Sequence, residues 1–329
     1  MKNSHSYKHA SLIFLKKIYH LIFRKESILP SFENDADKAS EIIFNILSTD
    51  QPCMITRFGA VEISALRNYT GILSRQKNAY KFIKGESAEW WWNEGIRYSM
   101  TNNAGFFPAT DENLEIFGKL MLESIPSIDV LGSWQEYEIH FLDYFPKASL
   151  INFIYLDPYW SKLPWTRILA GKKVLVVHPF AELILTQYNE KRDVLFEDKS
   201  LLPDFDLKVM NAVQSIGGNS VFPSWFDALK FMEDEIDKID YDICLLGCGA
   251  YGLPLAAHIK NAQKKAVHIG GSLQLLFGII GKRWENPNYG QKQLTKVGMY
   301  PSLINRYWTR PEQNHQPPTF QNVEDGCYW

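Results

Sequence analysis

The sequence contains no run of about 18 apolar residues free of charge, the length that a transmembrane helix needs, so no such helix is predicted. It has four cysteines in 329 residues, and their spacing does not provide the paired ligands of a zinc site. We therefore predict reduced thiols in a cytoplasmic protein. The net charge of -2 at pH 7 excludes the basic footprint over the whole chain that marks many nucleic-acid-binding proteins, so no nucleic-acid partner is predicted.

Three catalytic motifs are also missing from the sequence. It has no H-E-x-x-H, no phosphate-binding loop of the Gly-Lys-Ser/Thr type and no G-x-S-x-G. These absences argue against a metalloprotease, a kinase-like nucleotide hydrolase and a serine hydrolase. The composition is that of a globular protein, with 46% hydrophobic residues and ten tryptophans. Aromatic side chains fill cores, and they also form platforms on which sugars and nucleobases stack.

Residues 1–30 form a basic N-terminal segment. No acidic residue precedes Glu26, and apolar residues recur at helical spacing, which predicts an amphipathic helix. One interpretation is peripheral contact of residues 1–25 with an anionic membrane surface, at the inner face of the plasma membrane. The other is an ordinary surface helix that packs its apolar stripe on the domain. The cations are Lys2, Lys8, Lys16, Lys17, Arg24 and Lys25, and the apolar stripe is Leu12, Leu15, Ile18 and Ile22.

Short apolar strands alternate with amphipathic helices over the second half of the chain. This alternation predicts a mostly parallel sheet with crossover helices on its faces, so the predicted fold class is α/β and Rossmann-like. Ligands of such sheets bind at the carboxyl ends of the strands. The predicted strands cover residues 174–177, 206–213, 241–247 and 266–271, and the predicted helices cover 181–192, 224–239 and 252–263.

The first half of the chain shows a weaker form of the same pattern, and one α/β domain is predicted over residues 31–304. Residues 157–165 contain two prolines and are predicted as a loop that separates possible halves at 31–165 and 166–304. The aromatic tail at 305–329 is predicted to be irregular and packed on the domain. Helices are predicted over 37–48, 60–68, 112–125 and 134–145, and strands over 53–59 and 128–132.

The glycine-rich turn at residues 247–252 is a candidate phosphate site, because it follows a buried strand and opens a helix. A nicotinamide dehydrogenase or a methyltransferase would have a carboxylate at the end of the next strand, where residues 270–272 read Gly-Gly-Ser. Both classes are therefore disfavoured, and a tight turn without a ligand stays an alternative. The candidate binding residues are Gly247, Gly249, Tyr251, Gly252, Gly270 and Gly271.

Arg57 and Glu62 form a second candidate pair, at a strand end and one turn into the next helix. An arginine can bind a diphosphate bidentately, and a glutamate can bind sugar hydroxyls, hold a metal ion or act as a base. A surface salt bridge between the two is the alternative. Gly59 between them, and Asn103 in the polar turn before Phe106, are further candidates for donor binding.

Four more side chains carry candidate chemistry. His178 ends a predicted strand. At that position it could act as an acid or base or bind a phosphate. The alternative is a hydrogen bond to a carbonyl of a neighbouring loop. Glu138 is a further candidate for a catalytic carboxylate. Lys282 and Arg283 are candidates for neutralising a leaving diphosphate, with solvated side chains as the alternative.

Taken together, these segments resemble the GT-D-like family, which is related to bacterial glycosyltransferases of the GT-D fold. The resemblance covers roughly residues 35–329 and implies a Rossmann-like fold that binds a nucleotide-linked sugar. It is carried by Arg-Phe-Gly-x-x-Glu at 57–62, Asn-x-Gly-Phe-Phe-Pro at 103–108, Gly-Lys-Lys-Val-Leu-Val-Val-His-Pro-Phe at 171–180, Gly-Cys-Gly-Ala-Tyr-Gly-Leu-Pro-Leu-Ala at 247–256, His-Ile-Gly-Gly at 268–271 and the closing Gly-Cys-Tyr-Trp.

The family carries an Asp-x-Glu in the early motif, which helps to bind the sugar nucleotide and a divalent metal. This chain matches the glutamate with Glu62 but has Ala60 in place of the aspartate. A Mn²⁺ or Mg²⁺ site would therefore lose one hard ligand, and no metal requirement is predicted. The resemblance implies Glu62 and Arg57 as donor-binding residues.

The resulting hypothesis is a glycosyltransferase that moves a sugar from a nucleoside diphosphate to a hydroxyl of a glycan or lipid-linked glycan. A role in surface polysaccharide assembly is implied by the resemblance. Glu62, His178 and Glu138 are the candidates for deprotonating the acceptor. A catalytically inactive nucleotide-binding or scaffold protein is the alternative that Ala60 favours. An NAD- or S-adenosylmethionine-dependent enzyme is a third hypothesis.

Overall fold

A single parallel sheet forms the centre of the protein. The computed structural model describes residues 2–23, 28–75, 77–216, 221–312 and 326–329, and of residues 2–8 the backbone alone. The strands are Cys53–Thr56 (β1), Val130–Ser133 (β2), Ser149–Asn152 (β3), Lys173–His178 (β4), Asp206–Asn211 (β5), Ile243–Leu246 (β6) and Lys265–His268 (β7). All the pairings are parallel, in the order β3-β2-β1-β7-β6-β4-β5. The predicted Rossmann-like α/β fold is confirmed.

Helices surround the sheet, and several begin at polar residues whose side chains cap them. Asp35 accepts a hydrogen bond from the Lys38 N–H at 2.9 Å, which satisfies one of the free donors of the first turn. The α-helices are Lys2–Phe23 (α1), Ala36–Ser48 (α2), Ala60–Ser74 (α3), Ala79–Ile83 (α4), Glu94–Asn102 (α5), Asp111–Ser124 (α6), Ala181–Leu195 (α7), Trp225–Asp237 (α8), Gly252–Asn261 (α9), Leu273–Leu276 (α10), Lys282–Glu285 (α11) and Gln291–Leu294 (α12).

The strands are apolar on both faces, so each face carries its own core. Leu175 and Val177 of β4 pack into one core, with α3, α6, α8 and α9, and Val174 and Val176 pack into the other, with α2 and α7. Alternation of the side chains along a strand produces this division. Because both faces are covered, a ligand can reach the middle of the sheet at the ends of its strands.

The sheet joins the two possible halves of the domain. Strand β1, from residues 31–165, pairs with β7, from residues 166–304, through the register Met54 to Ala266. The predicted loop at 157–165 is in part 3-10 helical and packed. Trp165 is fully buried, and its Nε1 donates to the Leu156 carbonyl at 3.0 Å. Burial of Trp165 holds the end of this proline-containing segment against the core.

Some elements differ from the sequence-based expectations. Residues 134–145 form the 3-10 helices Glu136–His140 and Leu142–Tyr144 instead of one α-helix. Strand β3 was not expected, because its four residues mix polar and apolar types at a sheet edge. Helix α3 continues to Ser74, and the further 3-10 helices are Ile125–Ser127, Phe153–Leu156, Pro158–Trp160, Trp165–Leu169, Gly249–Tyr251 and Pro301–Leu303.

Helix α1 contacts the body through polar residues and a few half-buried apolar ones, among them Leu12 and Ile13. The His9 ring stacks on Trp91 at 4.0 Å, and Lys16 lies 4.5 Å from the Phe82 ring centre and 3.9 Å from the Glu89 carboxylate. The expected packing of the apolar stripe on the domain is wrong for Leu15, Ile18 and Ile22, which are exposed, whereas Leu12 is half-buried. Arg24 and Lys25, and the side chains of Lys2 and Lys8, lie outside the described residues.

Two parts of the C-terminal tail are described, residues 305–312 and 326–329, and both contact the domain. The Ile280 N–H donates to the Thr309 carbonyl at 2.7 Å, and Trp308 and Trp329 are buried. Predictions for residues 313–325 lie outside the described residues.

Two absences hold for the part of the chain that the structure describes. All four cysteines are buried, and no disulfide links them there. No helix within those same residues has the length and apolar character needed to cross a bilayer.

Candidate functional site

A cavity of about 490 Å³ lies at the carboxyl edge of the sheet. Its volume falls in the range of roughly 300–1,000 Å³ that is typical of small-molecule sites. The chain leaves β4 towards β5 on one side and leaves β6 towards β7 on the other, so the topology switches between β4 and β6. Ligands of doubly wound sheets bind at such a point. Each strand end supplies a lining residue: Arg57, Trp134, Phe153, His178, Val213, Gly247 and Ile269.

Three glycines make room for ring side chains: Gly247 and Gly271 line the cavity, whereas Gly252 does not. A Cβ atom on Gly247 would lie 2.5 Å from Cδ2 of His178, and one on Gly252 would lie 2.2 Å from Nε2 of His268. A Cβ on Gly271 would meet the Tyr328 ring at 2.2 Å. These glycines, predicted as ligand-binding residues, therefore have a packing role that the sequence did not reveal.

Gly249 and Gly270 differ from these glycines because both have positive φ angles, +58° and +86°. A Cβ on Gly249 would meet no atom within 4 Å, so open space lies over this residue. Gly249 also begins the 3-10 helix that leads into α9. The first N–H groups of such a helix have no intrahelical acceptor, so the open side of Gly249 is suited to an anion.

Arg57 lies over two aromatic rings in the cavity wall. Its guanidinium carbon is 4.7 Å from the centre of the Trp134 ring and 5.4 Å from that of Phe153. The Trp134 ring is itself fixed, because its Nε1 donates to the Phe58 carbonyl at 2.8 Å. Among the described residues, the Arg57 guanidinium makes neither an ion pair nor a hydrogen bond, and the predicted alternative of a salt bridge with Glu62 is not formed. The charge is therefore held in place by stacking, with its donors available to a ligand.

Glu62 lines the cavity from the first turn of α3 and is half-buried. Its carboxylate covers Gly59, where a Cβ would lie 2.0 Å from Oε2, so Gly59 makes room for Glu62. Burial raises the pKa of the Glu62 carboxyl, and the N–H groups of Glu62 and Val61 and the Arg57 charge partly oppose that rise.

Asp157 is a cavity residue that the sequence did not single out. It follows the 3-10 helix after β3 and is 6% exposed. Its carboxylate accepts hydrogen bonds from the Ser272 hydroxyl, at 2.6 Å, and from the Tyr300 hydroxyl. Burial raises the pKa of Asp157 to about 6, against the effect of these donors and of Arg57. An acid directly before a proline at the end of an apolar segment was the one signal available.

Two buried histidines line the cavity as neutral rings. Burial lowers the pKa of His178 to about 3, and burial together with the Arg57 charge lowers that of His268 to about 3. The Nδ1 of His178 accepts the Phe180 N–H at 3.0 Å, so the neutral ring carries its proton on Nε2. His178 is therefore suited to donating a hydrogen bond and poorly suited to acting as a base. His268 contacts the Thr56 hydroxyl through Nδ1 at 3.0 Å.

Glu138 does not line the cavity. It is fully buried, and its carboxylate accepts the Ser133 hydroxyl and the N–H groups of Trp134 and Gln135, at 3.2 and 3.1 Å. Burial raises the pKa of Glu138 to about 7. These bonds cap the 3-10 helix Glu136–His140, so the geometry gives Glu138 a structural position away from the cavity.

Lys282 is exposed and does not reach the cavity, whereas its neighbour Arg283 does. Arg283 lies over the Tyr328 ring at 4.7 Å and donates to the Tyr328 hydroxyl at 3.3 Å. The sequence did not distinguish the two residues, since they are adjacent cations. The direction of α11 places the second one at the ligand side.

The remaining two predicted residues line the cavity in different ways. Asn103 is exposed at its rim. Tyr251 is buried, and its ring stacks on Trp225 at 4.7 Å. Its hydroxyl lies 2.8 Å from the Ser215 hydroxyl, which donates to the Gly105 carbonyl at 2.7 Å. Tyr251 therefore ties the glycine turn to two neighbouring loops.

The residues around Glu62 do not fit a divalent metal site. Ala60 offers no ligand, so Glu62 is the one carboxylate that this stretch provides. Within the described part of the chain, no three His, Cys, Asp or Glu side chains come together in a way that could hold a metal ion. Positive charge in this cavity comes from Arg57 and Arg283.

Comparison with known proteins adds no relative to this description. No protein family, no curated protein and no solved structure matches this chain.

Proposed function

We propose that the protein is a glycosyltransferase that binds a nucleoside diphosphate sugar in this cavity and transfers the sugar to a hydroxyl group. The observation that carries the proposal is Arg57, a cation without a hydrogen-bonding partner among the described residues, stacked on Trp134 at the carboxyl edge of a doubly wound sheet. An arginine can bind two phosphate oxygens at once. Beside a helix N-terminus and aromatic rings, it suits a diphosphate linked to a base or a sugar. The resemblance to GT-D-like proteins supports the same reaction class.

In this proposal the donor diphosphate binds between the open side of Gly249 and the guanidinium of Arg57. A Cβ on Gly270 would lie 3.6 Å from Nη1 of Arg57, so the turn after β7 passes close to this cation. Arg283 supplies a second cation to the same cavity, and His178 supplies an Nε2–H donor. These four groups offer only donors and positive charge, which is what a diphosphate needs.

The proposed chemistry uses the two cavity carboxylates in different roles. Glu62 binds hydroxyl groups of the donor, and Asp157 takes the proton of the acceptor hydroxyl. A carboxyl with a pKa of about 6 is mostly ionised at pH 7 and still basic enough to accept that proton. The acceptor oxygen bonds to the anomeric carbon while the bond to the diphosphate breaks. Arg57 and Arg283 then stabilise the leaving diphosphate, with no step through a metal ion.

A thermal-shift panel of nucleotides and nucleotide sugars tests the proposal. A ligand at 100 times its dissociation constant stabilises the fold by about 2.7 kcal/mol, which raises the melting temperature measurably. We expect stabilisation by one class of nucleoside diphosphate, loss of it in Arg57→Gln and retention in the control Lys282→Gln, which removes an exposed cation outside the cavity. No shift with any nucleotide, or a shift with NAD or S-adenosylmethionine alone, would overturn the proposal.

A second candidate is a nucleotide-binding protein without transferase activity, and Ala60 is the residue that favours it. Such a protein would bind the nucleotide sugar at the same site without transferring the sugar. Release of free nucleoside diphosphate from the stabilising nucleotide sugar, in the presence of a hydroxyl acceptor, separates the two. We place either protein in the cytoplasm, where nucleotide sugars are made and cysteines stay reduced.

A further inference from the structure

Helix α1 turns its apolar residues to the solvent. Leu21 is 79% exposed, Ile22 is 66% exposed and Phe14 is 63% exposed, and with Ile18 they recur at helical spacing. Monomeric proteins rarely leave such a continuous set of large apolar side chains uncovered. The exposed face of α1 therefore indicates a surface that a membrane or another molecule covers.

The attachment of α1 keeps this face outward. Lys16 and His9 point to the body, where Lys16 contacts Phe82 and Glu89 and His9 stacks on Trp91. In an ordinary surface helix the apolar stripe takes these inner positions and the charged residues face water. Here Leu12, Ile13 and Tyr19 are half-buried beside Lys16. The large apolar residues Phe14, Leu21 and Ile22 face the solvent instead. Rotating α1 to bury them would break the contacts of both His9 and Lys16.

Charge decides between the possible occupants of the apolar face. Residues 1–25 contain six lysines and arginines and no acid, and Lys17 is exposed beside the apolar residues. A second copy of the chain would bring an equally basic helix against the first, and like charges repel. An anionic lipid bilayer offers both an apolar layer for the side chains and negative headgroups for the cations.

We propose that α1 is a peripheral membrane anchor that lies in the surface of an anionic bilayer, with Phe14, Ile18, Leu21 and Ile22 inserted among the lipids. Exposed Lys17 reaches the headgroups from the edge of the apolar stripe, as long basic side chains do at membrane interfaces. The anchor would bring the cavity to acceptors that are held in the membrane. It rests on the geometry of α1 and does not depend on the reaction proposed for the cavity.

Cosedimentation with lipid vesicles tests the anchor on the full-length chain. We expect binding to vesicles of phosphatidylcholine mixed with phosphatidylglycerol, little binding to phosphatidylcholine alone, and weaker binding in high salt. Substituting Leu21→Ser together with Ile22→Ser removes two inserted side chains and should lower the partition coefficient roughly a hundredfold. Lys17→Glu should lower it roughly tenfold.

Matched substitutions elsewhere provide the controls. Leu163→Ser changes a side chain that is 63% exposed, and Lys119→Glu changes a lysine whose side chain is 71% exposed. Both variants should bind vesicles as the unchanged protein does. Absence of vesicle binding, equal binding to neutral and anionic vesicles, or full binding by the Leu21/Ile22 variant would overturn the proposal. A dimer in lipid-free solution that dissociates in that variant would assign the face to a second copy instead.

Discussion

The His178 ring occupies the space beside Gly247, with Cδ2 at 2.5 Å from the position that a Cβ on Gly247 would take. The last residue of β4 and the first residue after β6 thus fit together at the point where the sheet topology switches. A glycine at this position looks like part of a phosphate loop in the sequence. In the fold it sets the position of a buried imidazole.

Gly247→Ala should destabilise the protein by about 1–3 kcal/mol, because the added methyl forces the His178 ring out of its packed position. Urea unfolding measures the loss. Gly249→Ala is the matched comparison. Its methyl would meet no neighbour, so its cost is the strain of a positive φ, about 1–2 kcal/mol. A Gly247→Ala variant as stable as the unchanged protein would contradict this account of the contact.

Gly249→Ala should weaken nucleotide binding as well as the fold, because the methyl fills the open space in which we place the diphosphate. We expect at least a tenfold rise in the dissociation constant, measured by calorimetry. Gly171→Ala is the control, since Gly171 also has a positive φ with nothing near its Cβ position and does not line the cavity. Equal affinity in the two variants would place the ligand elsewhere.

Trp134→Leu should weaken nucleotide binding through Arg57, which loses the ring that holds its guanidinium. A cation–π contact is worth about 0.5–2 kcal/mol, so we expect roughly a threefold to thirtyfold loss. A double-mutant cycle with Arg57→Gln tests whether Trp134 acts through Arg57. Once Arg57 is gone, removing Trp134 should cost much less. Fully additive losses would mean that Trp134 acts on the ligand independently of Arg57.

Asp157→Asn should remove the acidic limb of the pH–rate profile, because the proposed base works only when it is ionised, above a pKa of about 6. The free energy of unfolding gives a readout that needs no activity. The folded pKa lies above the ordinary value of 3.8, so the unchanged protein loses stability, by about 3 kcal/mol at most, as pH rises from 4 to 7. The Asp157→Asn variant should not lose this stability over the same pH range. A pH-independent difference between the two would contradict the burial of this carboxyl.

His178→Asn should cost less stability at pH 4.5 than at pH 7. The folded pKa of His178, about 3, lies below the ordinary 6.5, so its contribution is complete above 6.5 and is lost as pH falls towards 3. In that range the unfolded chain binds a proton that the folded chain does not. Denaturant unfolding at the two pH values measures the difference. A penalty that stays constant would mean that the ring is not buried as described.

Much of the cavity could be predicted because parallel strands end at one edge of a sheet. Arg57, His178 and residues 247–252 are far apart in the sequence, but each follows or ends a recognisable strand. Their meeting therefore follows from the strand pattern alone. Their individual contacts could not be predicted, since the reason for Gly252, for example, is the His268 ring of another strand.

The residues that sequence reasoning misplaced depend on tertiary contacts without a local signature. Lys282 and Arg283 are adjacent cations, and only the direction of a four-residue helix selects the second one for the cavity. Asp157 lies in a segment with loop-like composition that the fold buries. The local sequence does not separate Glu138 from Asp157 as a candidate cavity carboxylate. In the fold, the Glu138 carboxylate caps its own 3-10 helix.

Strand β1 lies in the middle of the sheet, between β2 and β7, although it comes first in the chain. Its partner β7 follows more than 200 positions later, from Cys53 to Lys265. During synthesis on the ribosome, one edge of β1 therefore stays unpaired until nearly the whole domain has emerged. Pairings this distant fold slowly, and an exposed strand edge can join a neighbouring chain. The order of synthesis thus leaves this edge of β1 without its partner in the nascent chain until β7 has been made.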